Sequence, residues 1–147
     1  MKKIVFFLIC LFTLQVVKAD NDKPIVFEKL PQAAQAFVKK HFAGQNVAFS
    51  KVDREIFDTT YDVIFVNGDK IEFDKNGNWK EMSCKRSSVP AEAVPAQIAN
   101  YVKTNYPDAK IIRIEKDRYE YEVKLSNFWE LKFDLQFNLI DMDHDND

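Results

Sequence analysis

Tyr61–Met82, YDVIFVNGDKIEFDKNGNWKEM, decides the fold. Apolar and polar residues alternate along it, and Asn67-Gly68 and Asn76-Gly77 cut it into three short segments. Alternation with a period of two marks a half-buried strand. An Asn-Gly pair between two such runs predicts a hairpin closed by a type I′ turn, whose two central residues take positive φ. The stretch therefore reads as a three-stranded antiparallel meander. It recurs 60 residues later as Tyr121–Met142, YEVKLSNFWELKFDLQFNLIDM, where Tyr61, Val63, Phe73, Asp74, Asn78 and Met82 fall on Tyr121, Val123, Phe133, Asp134, Asn138 and Met142. The second version has Asn127-Phe128 and Gln136-Phe137 at its turns, so the equivalence there rests on register.

Working outward, each meander is preceded by a further strand-like run and by a helical pattern. Ala34, Phe37, Val38 and Phe42 lie on one stripe of a helix that opens at Leu30-Pro31, and Gly44 supplies a stop. Ile98, Tyr101, Val102 and Tyr106 form the same stripe after Val94-Pro95, at an offset of 64. That offset still fits Asp53-Arg54 against Asp117-Arg118 and then falls to 60, a length change confined to one turn. Strands are expected near Val47–Arg54, Tyr61–Val66, Lys70–Asp74 and Asn78–Cys84, with counterparts from Ile111, Tyr121, Glu130 and Asn138. The expected fold class is α+β, a tandem repeat of one helix plus a four-stranded antiparallel meander sheet.

Met1–Ala19 has a basic start at Lys2 and Lys3, an apolar run from Ile4 to Leu14, and Val17 and Ala19 ahead of Asp20. This is the layout of a secretory signal peptide, and its apolar run is shorter than the ~20 residues a spanning helix needs. The expected organisation is a signal peptide at 1–19, a leader and first unit at 20–84, a linker at 85–93 and a second unit at 94–147. The expected location is periplasmic or secreted, without stable membrane insertion after cleavage. Past Ala19, 18 Lys and Arg face 23 Asp and Glu. A net negative chain is a poor binder of nucleic acid, which is gripped by clustered cations. Cys84 is then the one remaining cysteine and cannot form an internal disulfide, so it is either buried and inert, the favoured reading, or free for intermolecular pairing.

Alternation turns Tyr61, Val63, Phe65, Ile71 and Phe73 toward the helix, with Tyr121, Val123, Leu125, Leu131 and Phe133 in the second unit. The opposite face of the second unit is charged, whereas that of the first holds Phe49, Ile64, Val66 and Trp79 among its charges. Apolar anchors inside a charged rim are what a protein interface uses, so these four are the expected partner-binding residues.

Signals for chemistry are thin. Asp74-Lys75-Asn76-Gly77-Asn78 resembles the start of a calcium loop, but Trp79–Met82 continues as strand where such a loop needs more ligands and a bidentate Glu. His41 and the terminal Asp141, Asp143, His144, Asp145 and Asp147 are too scattered to set out a metal site. Cys84 has no patterned histidine, Ser87-Ser88 has no nucleophile-elbow glycine, and the three glycines are all claimed by turns. No catalytic residue, cofactor or metal is assigned.

With the repeat laid out, the chain resembles the PepSY-like family of exported proteins, whose fold is similar to that of the β-lactamase inhibitor protein. The resemblance rests on the Leu30-Pro31 and Val94-Pro95 openings and on FDKNGNWKEM (Phe73–Met82) with its echo FDLQFNLIDM (Phe133–Met142). It implies helix-bearing units on antiparallel sheets and a regulatory or inhibitory role exercised through the exposed sheet surface. The expected function is a non-enzymatic module binding an envelope protein or peptide. The alternative is a small-ligand or divalent-metal-binding envelope protein.

Overall fold

The computed structural model describes residues 21–145. The signal-peptide reading of 1–19 lies outside the described residues. In chain order, strand β1 (Lys23–Ile25) and a 3-10 turn (Phe27–Lys29) lead into helix α1 (Gln32–His41). Four strands follow, β2 (Val47–Arg54), β3 (Thr59–Phe65), β4 (Lys70–Phe73) and β5 (Trp79–Ser83). A second 3-10 turn (Ala91–Ala93) precedes α2 (Ala96–Asn105), β6 (Ile111–Lys116), β7 (Glu120–Leu125), β8 (Trp129–Asp134) and β9 (Leu139–His144). Each strand pairs antiparallel with the next, giving one open nine-stranded sheet in sequence order. The halves join through β5 and β6, where Met82 stands opposite Ile114. The leader is more ordered than its composition implied, since Lys23–Ile25 adds β1 to the edge of β2.

One row of residues crosses the whole sheet and explains why it needs both helices. Ile25, Ser50, Val63, Ile71, Met82, Ile114, Val123, Leu131 and Met142 stand opposite one another from β1 to β9, hence on one face. From Val63 to Leu131 this row is fully buried. Complete burial of each such side chain contributes about 1.5–3 kcal/mol. Helix α1 covers the first half through Phe37 on Phe73 and Phe42 on Phe65, with ring centroids 5.8 and 5.2 Å apart. Helix α2 covers the second through Tyr101 on Phe133 and Tyr106 on Trp129, at 5.4 and 5.9 Å. Both helices thus lie on the same side, and among the described residues no helix covers the other face of the sheet. Pro31 and Pro95 sit just before the first helical residues, and their carbonyls accept hydrogen bonds from Gln35 and Ala99. A proline suits this position because no helical N–H is required of it.

The turns differ from the type I′ expectation. At Asn67-Gly68 and Asn76-Gly77 only the glycines have positive φ, +90° and +85°. Gly68 N–H donates to the Phe65 carbonyl and Phe65 N–H to that of Asp69; Gly77 with Asp74, and Asp74 with Asn78, repeat the arrangement. These are three-residue loops, a type I turn followed by one left-handed residue. Asn-Gly satisfies this geometry as well as the tighter one, because only the glycine needs the left-handed region.

At the matching positions of the second half, Phe128 and Phe137 hold φ of 69° and 66°. A side chain there costs about 1–2 kcal/mol. Phe137 offsets this by stacking on Tyr121 at 5.4 Å, whereas Phe128 is 58% exposed. Phe128→Gly is therefore expected to stabilise the fold by about 1 kcal/mol in urea titrations. Phe137→Gly is expected to bring no gain, because it loses the stacking as it relieves the backbone.

Candidate functional site: the open face of the sheet

Strand register builds two neighbouring rows on the uncovered face. The first runs Lys51, Asp62, Glu72, Glu81, Glu115, Glu122, Lys132, Asp141 from β2 to β9. Five consecutive strands, β3 to β7, thus each place a carboxylate at one level, with strands about 4.8 Å apart. Like charges directly opposite one another destabilise a sheet, so the row requires compensating cations. The second row supplies them: Phe49, Ile64, Lys70, Ser83, Arg113, Lys124, Glu130, Asp143.

Arg113 is the hub. Its Nε donates to Glu81 at 3.0 Å, Nη1 to Glu122 at 3.3 Å and Nη2 to Glu115. The guanidinium loses hydration there, but these three carboxylates outweigh that loss and hold its pKa above the ordinary value. Lys70 lies 3.1 Å from Asp62 and 3.8 Å from Glu72, while Lys51 bridges Asp22 and Asp62. Burial, and next the charge of Asp62, push the Glu72 carboxyl upward. Burial and then Glu122 do the same to Glu130. Acids outnumber bases across the face despite these pairs.

Three of the four expected partner-binding residues meet at one corner of this face. Phe49 stands opposite Ile64 and is 52% exposed; Val66, just beyond β3, is 71% exposed and its N–H donates to the Asn46 carbonyl. Ile64 is half-buried between Phe49 and Lys70.

Trp79 does not join them. Phe73 pairs with Trp79 while Glu72 pairs with Glu81, which leaves Lys80 as an extra, bulged residue. The bulge reverses the alternation, so Trp79 turns to the helix side and packs 6.4 Å from the Tyr121 ring. It lines a groove of about 520 Å³ with Ala33, Phe37, Pro95, Lys116 and Tyr121. Lys116 Nζ lies 5.5 Å from the centre of the Tyr121 ring in that groove.

The Asp74 loop is closed by its own backbone. One Asp74 oxygen accepts the N–H groups of Asn76 and Asn78, and Asp134 repeats this with Gln136 and Asn138. Those N–H bonds, the Asn138 backbone foremost, hold the Asp134 carboxyl below its usual range. Among the described residues no three His, Cys, Asp or Glu side chains are grouped to hold a metal ion. Cys84 is fully buried with a free thiol, as its single occurrence implied.

Two features escape sequence reading. The carboxylate row is assembled by the β5–β6 register between halves distant in sequence. In addition, the loop between β2 and β3 leaves Ile56 and Phe57 almost wholly in solvent. The only trace of that loop in the sequence is the fall in offset from 64 to 60.

The profile of the family described as "Putative beta-lactamase-inhibitor-like, PepSY-like" matches residues 59–141. Among solved structures, a "putative calcium-regulated periplasmic protein" from Bacteroides thetaiotaomicron is 56% identical with a TM-score of 0.83, over 86% of this chain and 99% of its own. A "putative periplasmic protein" from Bacteroides vulgatus is 59% identical with the same coverage and TM-score. A second B. vulgatus periplasmic protein, of unknown function, is 36% identical with a TM-score of 0.76, over 83% of this chain and 98% of its own. No curated protein matches the sequence. None of the described helices is long and apolar enough to cross a membrane. Two helices on one side of an open antiparallel sheet, the family match and the identity to these periplasmic proteins agree, and the chain belongs to the PepSY-like, β-lactamase-inhibitor-like family.

Proposed function

We propose that this periplasmic protein is a non-enzymatic module that binds another protein or peptide on the open face of its sheet, and that its two halves are copies of one helix-plus-meander unit. The observation that carries the binding reading is the Phe49, Ile64 and Val66 corner: apolar side chains, two of them half or more exposed, on a face that is otherwise charged. The excess of acids across that face as a whole favours a partner with an apolar anchor inside a cationic rim. Phe49→Ala combined with Val66→Ala is expected to weaken partner capture from envelope extract about ten-fold or more without lowering Tm. Added salt is expected to slow capture. Capture unchanged in the double variant and indifferent to salt would remove the open face as the site.

The groove on the helix side supports a second reading, a small-ligand or divalent-cation binder. Its volume falls in the range of ligand pockets, and Trp79 and Tyr121 offer adjoining rings. A 56% identical relative is described as calcium-regulated. Calcium or a groove ligand that binds only the native state raises Tm. A Tm unmoved by calcium and an unchanged Trp79 fluorescence across a ligand screen would set this reading aside.

A further inference from the structure

We infer that the free edge of β9 accepts an extended peptide whose side chains alternate between cationic and apolar, adding a strand to the sheet. The two edges of the sheet are built differently. β1 is three residues long and has Pro24 at its centre, a residue with no N–H to give and one that suits an edge closed to further pairing. β9 has six residues and no proline, and among the described residues no strand pairs beyond it.

Its outward donors are present but covered. The Met142 N–H donates to Asp141 Oδ1 at 3.0 Å and the His144 N–H to Asp143 Oδ1 at 2.9 Å. Each N–H is held by the side chain of the residue before it rather than by the ladder to β8. Such self-capping lets an edge strand stay soluble, and it is reversible, because a carboxylate that finds a cation elsewhere releases the amide.

The side chains specify what would release it. Asp141 and Asp143, both exposed to solvent, stand on the open face opposite the half-buried Lys132 and Glu130. On the other face Met142, opposite the buried Leu131, is 45% exposed. An incoming strand with Lys or Arg beside Asp141 and Asp143, and apolar residues beside Met142, would draw off both carboxylates and leave two amides free to bond its carbonyls. A second copy of this chain is a poor occupant, because antiparallel β9 pairing sets aspartates against aspartates. Strand addition of this kind takes affinity from main-chain bonds and selectivity from alternate side chains. The edge lies at the far end of the sheet from Phe49, so this inference does not depend on the corner described above.

The test uses the full exported chain and short end-blocked peptides, one alternating lysine with valine and one alternating glutamate with valine. The lysine peptide is expected to bind and to protect the Met142 amide from hydrogen exchange, and the glutamate peptide is expected not to bind. Met142→Pro removes one outward donor and no ladder donor, so it is expected to keep the wild-type Tm and lose binding about ten-fold. Phe49→Ala is expected to leave binding unchanged. Equal binding by folded Met142→Pro, or by the glutamate peptide, overturns the inference. Should Met142→Pro fail to fold, an unprotected Met142 amide in the wild-type complex overturns it equally. So does a wild-type dimer that Met142→Pro dissociates, which would assign the edge to a second copy.

Discussion

Gly77→Ala is expected to destabilise the protein by about 3 kcal/mol, a large part of the ~5–15 kcal/mol that holds a domain folded. Two effects add at this position. Gly77 has φ of +85°, where a side chain costs about 1–2 kcal/mol. A Cβ there would also lie 2.8 Å from the backbone nitrogen of Ala34, 2.9 Å from Pro31 Cβ and 3.1 Å from Ala33 Cβ. These atoms form the start of α1, where neither proline nor helical backbone can step aside, and overpacking of this kind costs about 1–3 kcal/mol more. Gly68 is the internal control. Its φ of +90° is nearly the same, but a Cβ there meets nothing within 4 Å, so Gly68→Ala is expected to cost only the backbone share, about 1 kcal/mol. Urea titration of both variants separates the two effects. Equal losses at the two glycines would show that α1 is not seated on the β4–β5 turn.

That turn also shows how far the sequence could be read. Alternation located β2 to β9, their core faces and the helical stripes, because each rests on contacts whose period is visible within a few residues. It failed where one inserted residue resets the period. Lys80 is bulged between Glu81 and Trp79, and counting back from Met82 by twos therefore puts Trp79 on the wrong face. Ile140 is the equivalent extra residue between Asp141 and Leu139. β1 was missed because three residues around a proline carry too little pattern to register as a strand. The Phe49, Ile64 and Val66 corner was legible, being contributed by neighbouring strands of one hairpin. The carboxylate row was not: Glu81 meets Glu115 only through the pairing of the two halves, and nothing local to either strand announces it. Arg113 looked like one surface charge among many until that register placed Glu81, Glu115 and Glu122 around it.

Asp69→Ala is expected to cost about 2–3 kcal/mol, as the loss of a buried, charge-assisted hydrogen-bond centre. Asp69 is almost fully buried after the β3–β4 turn. Its Oδ2 accepts from Gln45 Nε2 at 3.2 Å, Asn67 Nδ2 at 2.9 Å and the Ser87 hydroxyl. One oxygen thereby ties together the connection after α1, the turn and the segment leading to α2. Because all three donors converge on Oδ2, Asp69→Asn can keep them on its amide oxygen and is expected to cost about 1 kcal/mol, mainly the lost charge assistance. The charge has a second effect. Burial first, and then the charge of Asp69, push the Cys84 thiol from 9.0 up to about 12. The folded state therefore keeps a proton that the unfolded chain releases above pH 9, so this contribution to stability is intact below pH 9 and is lost as pH rises through 12. Asp69→Asn removes the electrostatic share of the shift and leaves the burial share. The Asn variant should then show thiolate absorbance at lower pH than the wild type, and a shallower alkaline loss of stability. Unchanged Cys84 titration in the Asn variant would mean that burial alone holds the thiol protonated, leaving Asp69 as a structural tie between α1, the β3–β4 turn and the chain entering α2.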